Sequence, residues 1–165
     1  MGVFKTKKKG KGKKMTFTQK ENSLLCDLKS QESLCIEKYS KYASEAHDPC
    51  LKALFEKIKG AEMTHLDTVN KILSGEEVSM PAAPSATAAK AECSPSSLTE
   101  SERGEDAFLC RDALAMEKHV SSVYDVSVFE FSSPTLRDTL SHIQKEEQNH
   151  GLELYSYMSS CGMYS

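Results

Sequence analysis

The sequence predicts an all-α fold, a four-helix bundle made of two antiparallel hairpins joined by one long crossover. Three observations predict it. Apolar residues recur at alternating steps of three and four in four separate segments. A capping side chain followed by proline, the signature of a helix start, occurs twice, at Asp48-Pro49 and Ser133-Pro134. The connections between segments run short, long, short, and only a long link can travel the length of a bundle.

The elements follow in order. Residues 1–16 form a basic, glycine-broken tail with nothing to bury, and disorder is expected there. A single bundle domain is expected over 17–165, a length that supports a real core. Its first helix spans about 18–46. The second, 48–74, starts at Asp48-Pro49 and stops at Gly75, a helix-ending glycine. Residues 76–103, with the stretch MPAAPSATAAKAECSPSS, read as a low-complexity crossover linker. The third helix covers about 105–131. The fourth covers 134–160 and ends before Gly162.

Charge is divided unevenly. Residues 1–14 hold seven lysines and no acid; the remaining 14 basic residues face 24 acids, so the rest of the chain carries a net of about −10. The tail can meet an anionic partner by charge alone, or simply keep the chain solvated. No apolar run approaches a membrane span. No apolar segment follows the N-terminal charges, so export by a signal peptide is not expected and a cytoplasmic location is. The start Met1-Gly2-Val3-Phe4-Lys5-Thr6 fits the loose myristoylation pattern. Six cysteines (Cys26, Cys35, Cys50, Cys93, Cys110, Cys161) include no Cys-x-x-Cys pair, which excludes a zinc ribbon. Reduced thiols are expected, with cross-linking in an outer assembly as the alternative.

The two halves repeat. Shifted by 85 residues, 24–73 and 109–158 align without a gap, with ten identical positions. These include the turn prolines Pro49 and Pro134 and three ligand-type pairs: Glu32/Glu117, Glu62/Glu147 and His65/His150. A duplicated hairpin with a pseudo-twofold axis follows.

The apolar stripes show where those pairs point. Helix 2 reads Leu51, Phe55, Ile58, Glu62, His65, Val69, Ile72, and helix 4 reads Leu136, Leu140, Ile143, Glu147, His150, Leu154, Tyr157. Helix 1 supplies Leu25, Leu28, Glu32, Cys35, Tyr39, Tyr42, and helix 3 Cys110, Ala113, Glu117, Val120, Tyr124. Four carboxylates and two imidazoles therefore face the core. In each hairpin the lone Glu lies 30 residues before Glu-x-x-His, which brings both to one level of an antiparallel pair. Buried carboxylates repel one another and lose hydration. Two divalent cations would neutralise them, and hard oxygen donors with one imidazole per ion suit two iron or manganese ions. The expected arrangement has Glu32 and His65 terminal on one ion, Glu117 and His150 terminal on the other, and Glu62 and Glu147 bridging. The alternative is a site that no longer binds metal.

Tyr39 and Tyr124 lie seven residues beyond the helix glutamates on the same face, and are placed either to hydrogen-bond the ligand carboxylates or to pack in the core. His119 and His142 fall off the stripes and are expected at the surface. Glu45 and Glu130, near the turns, are expected to pair with Lys52 and Arg137.

Glu32-Ser33, Tyr39, Ala43 and Glu62-x-x-His65, repeated as Glu117, Tyr124 and Glu147-x-x-His150, resemble the ferritin-like domain of rubrerythrins. The chain differs in having Val120 where rubrerythrins usually carry a further Glu, and in lacking a rubredoxin module. A second resemblance is to the Coat F family of bacterial spore coat proteins. It is carried by Tyr124, Glu130, Ser133-Pro134-Thr135-Leu136-Arg137, Ile143, Glu146-Glu147 and the ending Met158 to Tyr164. Together they cover about 20–75 and 105–165 and imply a ferritin-like bundle.

Two functions follow from these resemblances. One is a spore-associated di-iron or di-manganese oxidoreductase, of ferroxidase or of peroxidase or catalase type, that meets O2 or peroxide at the metals. The other is a structural coat protein with coat-protein partners, deposited on the spore, in which the metal site is structural or vestigial. The oligomeric state is left open, a homo-oligomer included.

Overall fold

The computed structural model describes residues 14–80 and 97–164. Among them are four helices and no strand: α1 Gln19–Glu45, α2 Pro49–Leu73, α3 Glu100–Glu130 and α4 Pro134–Ser160. The fold is an all-α four-helix bundle. Residues 46–48 join α1 to α2 and residues 131–133 join α3 to α4. Lys57 on α2 meets Glu153 on α4, and His65 meets Glu146, so α2 and α4 run antiparallel. Tyr39 on α1 meets Glu117 on α3, and Glu32 meets Tyr124, so α1 and α3 do as well.

Each helix start is chemically specified. The Asp48 side chain accepts from Cys50 N–H, and Ser133 from Leu136 N–H, with proline at the first helical position after each. α1 opens with a capping box between Thr18 and Glu21. α3 opens with the same device, Thr99 and Glu102, and so begins five residues before the expected start. The Thr-x-x-Glu signal sits inside the segment that composition alone assigns to the linker.

Two helix ends use a left-handed glycine. At Gly75 (φ 86°) the Gly75 N–H donates to Ile72 O and the Glu76 N–H to Lys71 O, closing the last carbonyls of α2. At Gly162 (φ 66°) the same pair of bonds ends α4, with Met163 N–H donating to Met158 O. Gly75 also receives the chain before α1. The Met15 N–H donates to Gly75 O at 3.1 Å, and Met15 and Phe17 pack on the core. Residues 14–16, expected in the disordered tail, are therefore anchored by a backbone bond and an apolar contact; residues 1–13 lie outside the described residues.

The core is the set of stripes read from the sequence, all of them buried, with Leu25, Leu28, Tyr39, Leu51, Phe55, Val120, Tyr124 and Leu140 fully so. Burying a side chain of this size stabilises the fold by about 2 kcal/mol. The turns are locked from the opposite hairpin. Buried Asp106 of α3 accepts from His47 N–H (2.8 Å) and Asp48 N–H (2.9 Å), while Tyr157 O–H donates to Asp48. Glu21 of α1 accepts from Ser132 N–H in the equivalent place. The internal repeat thus extends to the residues that hold the turns.

Two surface expectations change. Glu45 meets Lys41 (3.8 Å) rather than Lys52, and Glu130 meets Lys20 (2.6 Å) rather than Arg137. The antiparallel course of α1 and α3 brings Lys20 at the start of one beside Glu130 at the end of the other, while Glu45 pairs one turn back along its own helix. Cys26, Cys35 and Cys110 are free thiols, whereas Cys161 is disulfide-bonded, so the expectation of reduced thiols does not extend to it. Cys93 lies outside the described residues.

Candidate metal centre

Four helices deliver six side chains to one level of the core. Glu32 comes from α1, Glu62 and His65 from α2, Glu117 from α3, and Glu147 and His150 from α4. Glu32, Glu62 and His65 are fully buried, and His150 is the most accessible of the six at 7%. Each sits on a buried stripe, between apolar residues that fix its helix face.

The six fall into two overlapping groups. Glu32, Glu62, His65 and Glu147 form one; Glu62, Glu117, Glu147 and His150 form the other. In each group one donor atom per residue lies within 4.8 Å of the others. Glu62 and Glu147 are common to both. His65 Nδ1 is 3.1 Å from Glu147 and 3.4 Å from Glu62; His150 Nδ1 is 3.0 Å from Glu62 and 3.5 Å from Glu117. The two rings stack, with centroids 5.8 Å apart.

Among the described residues, the buried side-chain atoms without a hydrogen-bond partner all belong to this cluster. They are both oxygens of Glu62 and of Glu147, Oε2 of Glu32 and of Glu117, and Nδ1 of His65 and of His150. The short contacts between them lack hydrogen-bond geometry. Buried polar atoms are nearly always satisfied. A set of eight, all converging and all hard or borderline donors, fits a pair of divalent cations.

The protonation pattern points the same way. With only protons to balance the cluster, burial raises Glu32 well above the usual carboxylate range, aided by Glu147 and Glu62, and pushes Glu117 up to about 8. Burial also penalises ionised Glu62 and Glu147, but the two imidazoles outweigh it and hold both below the usual range. Burial favours neutral histidines, yet the carboxylates around His65 and His150 hold both well above their ordinary value. Positive charge is thus drawn to the cluster as protons on Glu32, Glu117 and the two rings, the need that divalent ions would also meet.

A second layer fixes the first. Tyr39 O–H donates to Glu117 Oε1 and Tyr124 O–H to Glu32 Oε1, each across to the other hairpin. Burial, and then the adjacent carboxylate, keep both phenols protonated far above their usual range. Of the two roles open to these tyrosines, the hydrogen-bonding one is therefore realised. Glu146 Oε2 lies 2.9 Å from His65 Nε2. A carboxylate only accepts, so Nε2 carries a hydrogen and Nδ1, which faces the cluster, is the nitrogen that would bind an ion once its own proton is displaced. His142 Nε2 stands 3.4 Å from the same Glu146 oxygen. Burial, reinforced by the four glutamates, pushes the Cys35 thiol beyond its ordinary range, so it offers no thiolate here.

His119 is exposed as expected, but His142 is buried at 9%. The segment leaving α2 passes over that flank of α4, where Thr139 O–H donates to Val78 O at 3.0 Å. Glu146 has no partner in the internal repeat, whose matching position is Ala61, and so comparison of the halves could not single it out. Its signal is the (i, i+4) pair with His142 on one helix face.

The family model of the Coat F domain matches residues 105–165, which is the α3–α4 hairpin to the end of the chain. Comparison with curated proteins and with solved structures gives no match. The α3–α4 half, which contributes Glu117, Glu147 and His150 to the cluster, is thus similar to the Coat F domain.

Proposed function

We propose that this chain is a spore-coat component whose helical bundle serves as an assembly unit and whose core holds two iron or manganese ions. The Coat F match carries the coat reading. The eight converging, unpartnered donor atoms support the metal reading. In it, Glu32 and His65 would hold one ion and Glu117 and His150 the other, with Glu62 and Glu147 within reach of both. Tyr39, Tyr124 and Glu146 fix the donors so that little reorganisation accompanies binding. Metal affinity then becomes folding stability, because the unfolded chain has no such cluster. Four helices tied through one centre make a rigid unit suited to a durable outer layer.

A second reading, a ferritin-like oxidoreductase, is favoured by one observation. Glu117 and Glu147 line a cleft of about 350 Å3 that reaches the surface between α3 and α4. A bound iron or manganese pair supplies one-electron chemistry towards O2 or peroxide. The chain's own contribution is to hold the donors, to keep Tyr39 and Tyr124 as proton-bearing neighbours, and to exclude bulk water.

Elemental analysis of the purified chain, beside a Glu62→Ala, Glu147→Ala double variant, tests the metal reading. About two iron or manganese ions per wild-type chain, lost in the variant, are expected. A metal-free wild type that stays folded after both metals are offered sinks that reading and leaves the coat scaffold. Fractionation of sporulating cells tests the coat reading, which fails if the tagged chain is missing from the coat layer. Turnover of peroxide or ferrous iron by the loaded wild type separates the second reading from the first.

A further inference from the structure

The pseudo-twofold axis makes the two halves of the cluster equivalent in donors but not in surroundings. On the side of Glu32 and His65, Glu146 meets the outer nitrogen of the His65 ring, and the half-buried Leu66 and Ile36 stand one turn beyond Glu62 and Glu32 on their helices. The positions that match them in the other half are Ala61, Gly151 and Ser121. All three are small. The result is measurable: Glu32 and His65 are 0% exposed, while Glu117 and His150 are 2% and 7%. The cleft of about 350 Å3 between α3 and α4 has Leu114, Ser121 and Gly151 among its walls and Glu117 and Glu147 in its lining. A smaller cleft of about 200 Å3 between α2 and α4 includes Ala61 and reaches His150.

We propose that the α3–α4 cleft is the entrance for divalent cations, and that the bare backbone of Gly151 and the small side chain of Ser121 keep it open. This rests on the reading of the cluster as a metal centre. An entering cation sheds water most readily where carboxylate oxygens replace it, and this cleft presents two, one of them the bridging Glu147. The linings match in charge, Lys118 with Glu117 and Glu147 in this cleft and Lys57 with Glu146 and Glu153 in the α2–α4 cleft, but Glu153 is paired with Lys57 and Glu146 with His65, so it is the α3–α4 cleft that opens on carboxylates of the cluster. Nothing in the backbone demands glycine at 151. Its φ is not positive, and a Cβ there would meet only Leu114 Cδ1, at an ordinary 3.6 Å. A larger side chain at 151 is therefore tolerated by the helix and projects into the cleft.

The test is the rate of cobalt(II) uptake by the metal-depleted full chain, followed by the visible absorption of the bound ion. Gly151→Leu and Ser121→Leu are compared with wild type, with Ala61→Leu as the variant that narrows the other cleft. Equilibrium stoichiometry and circular dichroism are measured for each. The expected result is a several-fold slower uptake, and equally slower removal by a chelator, in Gly151→Leu and Ser121→Leu at unchanged stoichiometry, with Ala61→Leu at the wild-type rate. Unchanged rates in the first two, or slowing by Ala61→Leu alone, overturn the proposed entrance while leaving the metal centre standing. If Gly151→Leu fails to fold, Ser121→Leu on the opposite wall decides by itself. A wild type that takes up no cobalt overturns the centre and the entrance together.

Discussion

Tyr39 on α1 donates its hydroxyl hydrogen to Glu117 on α3, so a residue of one hairpin orients a ligand-type carboxylate of the other. Tyr124 does the same for Glu32. The two halves of the cluster are thereby coupled as a unit. Removing either hydroxyl leaves a buried carboxylate oxygen without its partner and frees it to turn. Tyr39→Phe and Tyr124→Phe should each weaken cobalt or manganese binding by about tenfold. Phe55 packs against Tyr39 through its ring, and that contact survives the change, so the helical spectrum should stay as it is. A direct metal titration checks this; equal affinity in both variants would reduce the tyrosines to core packing.

The two kinds of glutamate should separate by stoichiometry. Glu62 and Glu147 belong to both donor groups, Glu32 and Glu117 to one each. Glu32→Gln should therefore lose about one ion per chain and Glu62→Gln about two. Elemental analysis reads the difference, and equal losses would refute the shared role of Glu62.

Protons and metal compete for the same cluster, which sets the sign of the pH dependence. Glu117 is pushed up to about 8 and Glu32 is raised well above its usual range. Between the ordinary carboxylate range and pH 8 the folded, metal-depleted chain thus holds protons that the unfolded chain has released. Their contribution to stability is full below the ordinary carboxylate range and is lost as pH rises from there towards 8. Metal binding runs the opposite way, strengthening with pH and releasing protons from the cluster. Thermal melts of depleted protein across pH 5 to 8, beside proton release in weakly buffered titrations, check both signs.

Much of this was legible from periodicity. The six ligand-type residues stand on apolar stripes, and a helix must bury its stripe, so Glu32, Glu62, His65, Glu117, Glu147 and His150 had to meet in the core. What stayed hidden has physical reasons. Glu146 and His142 lie beside the stripe and act across to α2, a contact that depends on interhelical packing rather than on spacing along α4. The start of α3 hid in a polar, low-complexity context, because a capping box carries no apolar signal. The partner of Glu130 was set by which helices lie side by side, information that local charge order lacks, whereas Glu45 pairs with Lys41 four residues back along its own helix, a spacing the sequence does show.

Glu146 offers an asymmetric prediction. It fixes the His65 ring through Nε2, while the matching position beside His150 is Ala61. Glu146→Ala should weaken the ion held by Glu32 and His65 by about tenfold and leave the other unchanged. A two-phase titration that becomes more widely split is the expected record. A uniform loss at both phases would show that Glu146 acts on the bundle as a whole.

The turn anchors allow stability to be changed without touching the cluster. Asp106 is fully buried and accepts two backbone N–H groups, His47 at 2.8 Å and Asp48 at 2.9 Å. Its truncation strands both donors at the α1–α2 turn, where the Asp48 carboxylate already serves Cys50 N–H and the Tyr157 hydroxyl. Asp106→Ala should lower the unfolding free energy by about 3 kcal/mol. Glu21, which accepts from Ser132 at a longer 3.4 Å, holds the other turn less firmly. The matching loss in Glu21→Ala should be smaller, about 1 kcal/mol, and should include the capping bond that Glu21 makes to Thr18. Because neither side chain reaches the cluster, both variants should bind metal with wild-type stoichiometry once folded. Denaturant melts of the two variants with and without manganese measure the loss and the offset that bound metal supplies. An Asp106→Ala protein as stable as wild type would mean that the α1–α2 turn is held by its apolar neighbours instead.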